Sequence, residues 1–414
     1  MKAVVAIDSF KGSLSSMEAG RAAEEGIKRV YPTATVVVKP LADGGEGTTE
    51  VLIDGLSGTK EEIIVTGPMG DPVVAYYGTA VRNMMISDSG NDINYEPVSP
   101  EGSRRKEDAE PRGERICFME MACASGITLV RDEERNPLKA TTFGLGEMIL
   151  HAVKDSIKDF IIGIGGSATN DGGLGMLKAL GVRFLDRDGN EVWEGANALG
   201  QITEIDVSQM APELSNCRFR VACDVTNPLC GENGATYIYG PQKGISEEQK
   251  EPVDKAMRHY GKKVLETFHK DESFMDEPGA GAAGGLGFAF LTFLNAELIP
   301  GVSLLLDVTA IEEELRNADI VLTGEGRLDG QTAMGKAPVG VATLAKKHGK
   351  KVLAFSGSIT EDAKACHEAG IDAYFPIIRG VCSLDEAMNR ESAKRNMADA
   401  VEEVFRTLRA CGLS

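Results

Sequence analysis

The sequence lacks any long hydrophobic run. No stretch of its 414 residues approaches the roughly 20 apolar residues that a transmembrane helix requires. The opening letters MKAVVAIDSF hold a short apolar run that Asp8 interrupts, which does not predict a signal peptide. We therefore expect a cytoplasmic protein that does not bind membranes.

Cysteine and histidine are present, but never in the spacing of a metal site. The eight cysteines include no C-x-x-C pair, and the five histidines are scattered along the chain. Neither a zinc site nor a disulfide framework is indicated. Histidine catalysis is not expected, and without a G-x-S-x-G motif a serine hydrolase is not expected either.

Positive charge is scarce. Lys and Arg number 44 against 63 Asp and Glu, which gives a formal net charge of −19. Such a chain is a poor binder of nucleic acid. A small anionic ligand would need local cations or the amino ends of helices.

Short apolar runs alternate with amphipathic stretches along most of the chain. Residues 3–7 and 33–38 predict buried parallel strands, and the capping-box pattern at 15–18 starts a helix between them. The same alternation returns towards the carboxyl end. It predicts an α/β fold with a mainly parallel sheet.

The alternation also suggests how the domains divide, because the two ends of the chain share it and the middle is more mixed. We predict one α/β domain from residues 1–59 and 300–414, with a second mixed α/β domain, 60–299, inserted into it. Residues 83–115 are highly charged and nearly without periodicity, and they predict a polar surface insertion.

The loops after the first two predicted strands carry charged side chains. Asp8, Ser9 and Lys11 follow the first strand, and Asp43 and Glu46 follow the second. Ligands of open parallel sheets bind beyond the carboxyl ends of the strands. If both loops lie at one sheet edge, these charges face the same crevice.

The stretch IIGIGGSATNDGGLG is the strongest single pattern. A buried strand runs into Gly165, Gly166 and Ser167, then into Asn170 and Asp171, before an apolar helix. A Gly/Ser turn that leads to the amino end of a helix favours an anion site. Its G-x-G-x-x-A spacing is also a loose dinucleotide fingerprint.

Other glycine-rich stretches are more ambiguous. GAGAAGGLG, at 279–287, contains G-x-G-x-x-G but follows an acidic stretch, so close helix packing ranks slightly above anion binding. Asp224 stands at a predicted strand end as a candidate ligand or base. GQTAMGKA has the G-x-x-x-x-G-K spacing of a P-loop, but Ala337 replaces its Mg²⁺ ligand, and the predicted strand ends well before it.

The remaining chemistry consists of carboxylates, cations and glycine amides. Carboxylates can hold Mg²⁺, cations and amides can hold phosphates, and an aspartate can deprotonate an attacking hydroxyl. This set suits phosphoryl transfer.

Seven blocks resemble one known family in the same order. They are DSFKGSLS, ADGGEGT, GIGGSATNDGG, NPLCGENGA, GPQKG, PGAGAAGGLG and LTGEGRLDGQT. The chain is similar over nearly its whole length to bacterial glycerate kinases of the two-domain type. The resemblance implies a flavodoxin-like or Rossmann-like parallel-sheet domain formed by both termini, with an inserted second mixed α/β domain. It also implies transfer of a phosphoryl group from ATP to D-glycerate, at the 2-hydroxyl.

From these patterns we predict an Mg²⁺-dependent kinase with its site in the cleft between the domains. Asp171 is the predicted general base, and Asp8 and Asp43 are alternatives for that role or for holding Mg²⁺. Lys11 and Arg327 are expected to stabilise charge. The predicted phosphate-binding residues are Gly165, Gly166, Ser167, Gly172 and Gly284. The predicted substrate-binding residues are Ser9, Glu46, Asn170, Asp224 and Glu325.

Two other functions compete with this interpretation. The two glycine fingerprints suggest a NAD-dependent hydroxy-acid dehydrogenase. A two-lobed α/β architecture would also suit a non-enzymatic sensor of small acids.

Overall fold

The structure is a computed structural model that describes residues 1–45, 47–82, 114–193 and 195–412. Glu46 and nearly all of the predicted insertion at 83–115 lie outside the described residues. The substrate role of Glu46 and the nature of the insertion therefore stay predictions.

Within the described residues, the strands form two larger sheets and one short two-stranded antiparallel sheet. They are β1 (Lys2–Ile7), β2 (Thr35–Val38), β3 (Thr59–Thr66), β4 (Pro72–Arg82), β5 (Glu114–Glu120), β6 (Asp159–Gly163), β7 (Arg183–Leu185), β8 (Glu204–Asp206), β9 (Arg218–Ala222), β10 (Glu297–Ile299), β11 (Ile320–Leu328), β12 (Lys351–Ile359) and β13 (Ala373–Pro376).

The helices pack around these sheets. They are α1 (Ser16–Val30), α2 (Thr48–Gly55), α3 (Ala122–Ser125), α4 (Phe143–Lys154), α5 (Leu174–Ala179), α6 (Gly195–Leu199), α7 (Ala235–Lys243), α8 (Glu247–Phe268), α9 (Ala282–Phe293), α10 (Gly301–Val308), α11 (Ile311–Arg316), α12 (Ala337–Lys347), α13 (Ala365–Glu368), α14 (Leu384–Met388) and α15 (Arg390–Ala410). The described part of the chain contains no helix long and apolar enough to cross a membrane.

The first sheet draws its strands from both ends of the chain. Its order is β13-β12-β11-β1-β2, and every neighbouring pair is parallel. Counted within this sheet, the order is 2-1-3-4-5, which is the flavodoxin-like arrangement. The expected fold class is confirmed.

The second sheet has the order β10-β9-β6-β5-β4-β3. Its strands from β10 to β5 are parallel, and β4 and β3 continue it as antiparallel strands. β3 and β4 pair along their lengths as an antiparallel hairpin. The inserted domain is mixed, as expected.

Local sequence explains why these elements begin and end where they do. The side chain of Ser15 accepts from the Glu18 amide and Glu18 caps Ser15 in return, so the predicted capping box begins α1. β1 is buried from Ala3 to Ile7 because helices cover both faces of its sheet: α1 and α15 on one side, α10 and α12 on the other.

Helix α10 lies between the two sheets. Val302 and Leu306 pack on the first sheet, while Leu304 and Leu305 pack on the second sheet together with Leu52 of α2. Both helices lie within the ranges that we assigned to the first domain. The boundaries at 59 and 300 remain an interpretation, with α2 and α10 forming the contact between the two halves.

Candidate active site

The first sheet has a crevice at the carboxyl ends of β1 and β11. The helices that follow these two strands, α1 and α12, cover opposite faces of the sheet. At such a switch point the connections diverge and leave room for a ligand. Two adjoining cavities of ≈ 410 Å³ and ≈ 370 Å³ share Asp8, Ser9, Lys11 and Asp43, and we call them together the switch-point crevice.

Six carboxylate residues line the switch-point crevice, and three of them follow or end three neighbouring strands of the first sheet. Asp8 follows β1, Asp43 follows β2, and Glu325 stands near the end of β11. Asp8 and Asp43 lie at the same crevice, as we expected from the sequence, because neighbouring parallel strands end at the same edge of a sheet. Glu325 joins them only because β1 pairs with β11 across more than three hundred residues of chain.

The Asp8 carboxylate is buried with few donors. Its side chain is 8% exposed, and its Oδ1 accepts from the Ser9 amide at 2.6 Å. Burial raises the pKa of Asp8 to about 7, with added repulsion from Asp43 and Glu325, against the Ser9 hydrogen bond and Lys11. A carboxylate with such a pKa can accept a proton near neutral pH.

The other two of these three carboxylates are held by their own loops. The Asp43 Oδ1 accepts from the Gly45 amide at 3.0 Å. The Glu325 Oε1 accepts from the Thr332 hydroxyl at 2.6 Å. Burial raises the pKa of Glu325, and nearby Asp329 and Asp43 add to the rise, while Thr332 and Lys336 oppose it.

Three basic side chains also line the switch-point crevice. Lys11 comes from the β1 loop, and Arg327 and Lys336 come from β11 and the start of α12. The Arg327 Nε and the Lys336 Nζ each lie 3.7 Å from a carboxylate oxygen of Asp329. These three cations are local positive groups of the kind that an anionic ligand would need in so acidic a chain.

Asp224 lies close to this crevice but has a structural bond of its own. Its Oδ1 accepts from the Gly301 amide, the first of α10, at 2.8 Å. Burial raises the pKa of Asp224, and repulsion from Asp43 contributes, against the Gly301 bond. Asp224 and Asp43 are therefore near neighbours at the contact between the two sheets.

The glycine loop after β6 differs from the sequence expectation. Helix α5 begins at Leu174, six residues after Ala168, so the G-x-G-x-x-A run does not open a helix. The Asp171 carboxylate accepts from the amides of Gly173 and Gly175 at 3.2 and 3.1 Å. The Asp171 side chain therefore already occupies the amino end of this helix, where an anionic ligand would otherwise bind.

Asp171 does not meet the crevice that contains Asp8. It is fully buried, and besides the two glycine amides it accepts from the amide and the hydroxyl of Thr142 at 3.0 and 2.8 Å. Burial raises its pKa, and the four donors oppose the rise. This placement does not favour our choice of Asp171 as the base, because its four donors belong to Thr142 and to its own loop and helix.

The neighbouring polar side chains of this loop are also turned inward. The Lys243 Nζ donates to the Ser167 hydroxyl at 2.6 Å and to the Thr169 carbonyl at 2.7 Å. Burial lowers the pKa of Lys243 to about 7, and Asp171 opposes the shift. Asn170 is fully buried and donates to Thr236 at 3.0 Å. Neither Ser167 nor Asn170 lines the switch-point crevice.

Two predicted phosphate-binding glycines serve packing. A Cβ on Gly172 would lie 2.6 Å from the Tyr260 ring, and a Cβ on Gly284 would lie 2.2 Å from the Thr169 carbonyl oxygen. Gly165 and Gly166 differ because both are exposed at the end of β6, and a Cβ on Gly165 would meet nothing within 4 Å. Of the predicted phosphate-binding set, these two are the open ones.

The G-x-x-x-x-G-K stretch follows a strand after all. β11 extends to Leu328, where it still pairs with Ile359, so the predicted strand end was too early. The loop amides nevertheless bond within the loop. Those of Gln331 and Thr332 donate to Asp329 Oδ1 at 3.0 and 3.2 Å, and that of Gly335 donates to the Thr332 carbonyl at 3.3 Å. The loop therefore does not offer the open amide cradle of a P-loop.

Sequence reasoning missed several residues of the switch-point crevice. Lys336 was set aside together with the P-loop hypothesis. Its place as the lysine of the G-x-x-x-x-G-K pattern was the available indication that it could belong to a binding site. The apolar lining contributed by Phe10 and by the segment after β13 carries no motif and could be found only from the fold.

The carboxylates of the crevice fit an Mg²⁺ ion that is shared with a substrate. Among the described residues, no three His, Cys, Asp or Glu side chains form a group that could hold a metal by themselves. Mg²⁺ commonly takes one or two carboxylates and completes its shell with waters and substrate phosphates. The like-charge repulsion on Asp8 and Glu325 is what a divalent cation would relieve.

Comparison with known proteins gives full-length similarities. The profile of the Glycerate kinase family matches residues 3–409. Glycerate 2-kinase of Escherichia coli K12 is 42% identical over 408 residues, which cover 99% of this chain and 98% of that protein. Glycerate kinase of Bacillus subtilis 168 is 42% identical over 407 residues, which cover 97% and 98%. The crystal structure of a Salmonella typhimurium LT2 protein assigned as glycerate kinase 2 matches with a TM-score of 0.84 and 40% identity, over 100% of both chains.

Proposed function

The chain belongs to the glycerate kinase family, and from that premise we propose that it transfers the γ-phosphoryl group of ATP to the 2-hydroxyl of D-glycerate. One observation carries the proposal: Asp8, Asp43, Glu325, Lys11 and Arg327 converge on the switch-point crevice. Family membership favours this kinase over the dehydrogenase and the sensor. The first glycine fingerprint does not open a helix, and the glycines of the second are closely packed against other parts of the chain, which also disfavours a dehydrogenase.

Asp8 is our choice for the general base. It accepts the proton of the substrate hydroxyl as the oxygen attacks the γ-phosphorus. The new O–P bond forms while the bond between the γ-phosphorus and the β–γ bridging oxygen breaks, and ADP leaves. A base is most effective when its pKa lies near the working pH, and burial brings the pKa of Asp8 to about 7.

The basic side chains bind the negative groups. Lys11 lies on the same loop as Asp8, so it is placed to bind the carboxylate of D-glycerate and orient its 2-hydroxyl towards Asp8. Arg327 and Lys336 enter from β11 and α12 and are placed to hold the phosphates. Phosphoryl transfer depends mainly on such positioning and charge stabilisation.

Asp43, with Glu325 beside it, would hold Mg²⁺. When bound, this ion neutralises phosphate charge and orients the γ-phosphoryl group. The Asp43 loop is fixed from the other half of the molecule, because the Glu120 carboxylate accepts from the amides of Gly47 and Thr49 at 3.0 and 2.7 Å. The crevice geometry therefore depends on the contact between the two sheets.

Gly165 and Gly166 remain our candidates for an additional phosphate contact. The strand that leads to them lies beside the Asp43 loop, since a Cβ on Gly163 would lie 3.3 Å from the Gly44 carbonyl oxygen. The exposed corner can thus face the crevice across the contact between the two halves.

Two measurements test the proposal. The purified chain should form ADP only when D-glycerate and Mg²⁺ are both present. The ³¹P spectrum of the product should show a doublet, because a phosphate on C2 couples to one proton, whereas a phosphate on C3 couples to two. A triplet would move the reaction to the 3-hydroxyl, and ADP formation independent of glycerate would contradict the kinase assignment for this substrate.

A further inference from the structure

The switch-point crevice has an apolar end, and we propose that this end binds the adenine base of ATP. The apolar end consists of Phe10, Ile377, Ile378, Leu384 and Met388. The proposal rests on the proposed phosphoryl transfer and adds to it the place of the nucleotide, which neither the family match nor the names of the relatives assign.

The strand order arranges the crevice from charged to apolar. Asp43 follows β2, Asp8 follows β1 and Glu325 lies on β11, whereas Ile377 and Ile378 follow β13 at the far edge of the sheet. Three interstrand spacings separate β1 from β13, which is about 14 Å at 4.7–4.9 Å each. An extended nucleotide can therefore place its phosphates at the charged end and its base at the apolar end.

Helix α14 forms the outer wall of the apolar end. It buries none of its residues, and Leu384 and Met388 are 75% and 38% exposed although both line the crevice. The Met388 Cε lies 3.0 Å from where a Cβ on Gly12 would stand, so this side chain reaches across to the β1 loop. Exposed apolar side chains that converge on a cavity are typical of a ligand site.

Two glycines line the crevice beside Phe10, where the chain segments pack closely. A Cβ on Gly357 would lie 2.7 Å from the Gly326 carbonyl oxygen and 3.5 Å from the Phe10 ring. A Cβ on Gly326 would lie 3.5 Å from the Phe10 Cα. Side chains at these two positions would crowd Phe10, which is 5% exposed and forms the inner side of the apolar end.

Adenine is the part of the two substrates that fits such a surface. D-glycerate is a three-carbon acid with a carboxylate and two hydroxyls, so it has no use for an apolar wall. A cavity of ≈ 410 Å³ also falls within the usual 300–1,000 Å³ range of small-molecule sites. The charged end would then bind the phosphates and D-glycerate, and the apolar end would bind adenine.

Leu384→Ser and Met388→Ser test the proposal, with Val381→Ser as the matched control. Val381 lies in the same segment and is fully exposed, but it does not line the crevice. Because none of the three side chains is buried in the core, all three variants should fold. The Kd of ADP is measured by calorimetry, and the KM values of ATP and D-glycerate are measured by ADP formation.

We expect each crevice variant to raise the Kd of ADP and the KM of ATP about tenfold, which is the usual effect of removing an apolar contact of this size. The KM of D-glycerate and all values of Val381→Ser should stay at the wild-type level. An unchanged Kd of ADP in both crevice variants, or an equal rise in the control, would overturn the adenine site. If the wild type bound ADP in this way but formed no ADP from ATP and glycerate, the proposed function would fail while the adenine site would stand.

Discussion

Among the residues that the structure describes, two buried aspartates lie in strand-to-helix loops, and their surroundings differ. Asp8, in the switch-point crevice, accepts one hydrogen bond from the neighbouring Ser9 amide and has Asp43 and Glu325 nearby. Asp171, in the glycine loop, accepts from Thr142, Gly173 and Gly175. Both carboxylates are buried, but Asp8 lines the switch-point crevice and Asp171 does not.

The comparison shows that a glycine-rich turn at a helix start does not by itself indicate a ligand site. At α5 the free amides are already satisfied by the Asp171 carboxylate, so the local geometry of an anion site is used for folding. At Asp8 the donors are few and like charges are close, which costs stability in the free protein. Such unfavourable arrangements are typical of functional sites.

The largest effect should come from Asp8→Asn. The amide keeps the size of the side chain but cannot accept the proton, and a general base contributes about 10²–10⁴ in rate. We expect kcat to fall by this factor, with the KM values of both substrates changed much less. Steady-state kinetics at saturating Mg²⁺ provide the measurement. Partial recovery of the rate at higher Mg²⁺ would instead make Asp8 a metal ligand.

The same substitution should stabilise the metal-free protein at high pH. Because the folded pKa of Asp8, about 7, exceeds the ordinary value of 3.8, the folded state binds this proton more tightly. Ionisation of Asp8 therefore lowers the free energy of unfolding as the pH rises from the ordinary pKa to the folded pKa of about 7. The decrease is about 1.4 kcal/mol per pH unit and reaches at most about 4 kcal/mol.

Denaturant unfolding in EDTA at several pH values tests this sign. Asp8→Asn should be more stable than the wild type at pH 8, and the difference should shrink as the pH falls towards 4 and the wild-type carboxyl becomes protonated. A variant that is less stable than the wild type at pH 8 would show that the Asp8 carboxylate is structural, as in the glycine loop.

Asp171→Asn should show the opposite behaviour. The substitution replaces an acceptor oxygen by an NH₂ group that faces the donors of Thr142 and the glycine amides. Hydrogen bonds to a charged group contribute about 1.5–3 kcal/mol, so we expect a loss of about 2–3 kcal/mol in the free energy of unfolding. Turnover per folded molecule should be unchanged. A large fall in kcat in a fully folded variant would restore Asp171 as a candidate base.

Ala337→Ser should have the smallest effect. If the loop from Gly330 to Lys336 were a P-loop, the new hydroxyl would supply the missing Mg²⁺ ligand and lower the KM of ATP. Because the loop amides of Gln331 and Thr332 already donate to Asp329, we expect no gain. A clear fall in the KM of ATP would mean that the loop rearranges around phosphates.

The sequence predicted much of the fold, because hydrophobic runs and caps are local. β1, α1 and β2 were found from residues 3–38 alone, and the alternation shared by the two chain ends, with which the family resemblance agreed, indicated that these ends come together. The end of β11 was missed, because the sequence GEGRL has charged residues and glycines instead of the apolar pattern of a buried strand. They form one because β12 continues beside them to Ile359.

The candidate site was predictable only in part. Asp8, Lys11 and Asp43 stand in the loops that follow β1 and β2, where the topology favours a crevice. Whether a buried aspartate has donors depends on contacts that are distant in sequence. Thr142 and Asp171 are 29 residues apart, and nothing in either local pattern indicates that they meet.

The most direct test is a crystal structure with D-glycerate, Mg²⁺ and a non-hydrolysable ATP analogue. We predict the glycerate 2-hydroxyl within about 2.6–3.2 Å of the Asp8 carboxylate, which is the reach of a general base, and the γ-phosphate between Arg327 and Lys336. A 2-hydroxyl bound away from Asp8, against the Gly165–Gly166 corner or beside Asp171, would contradict the placement of catalysis in the switch-point crevice.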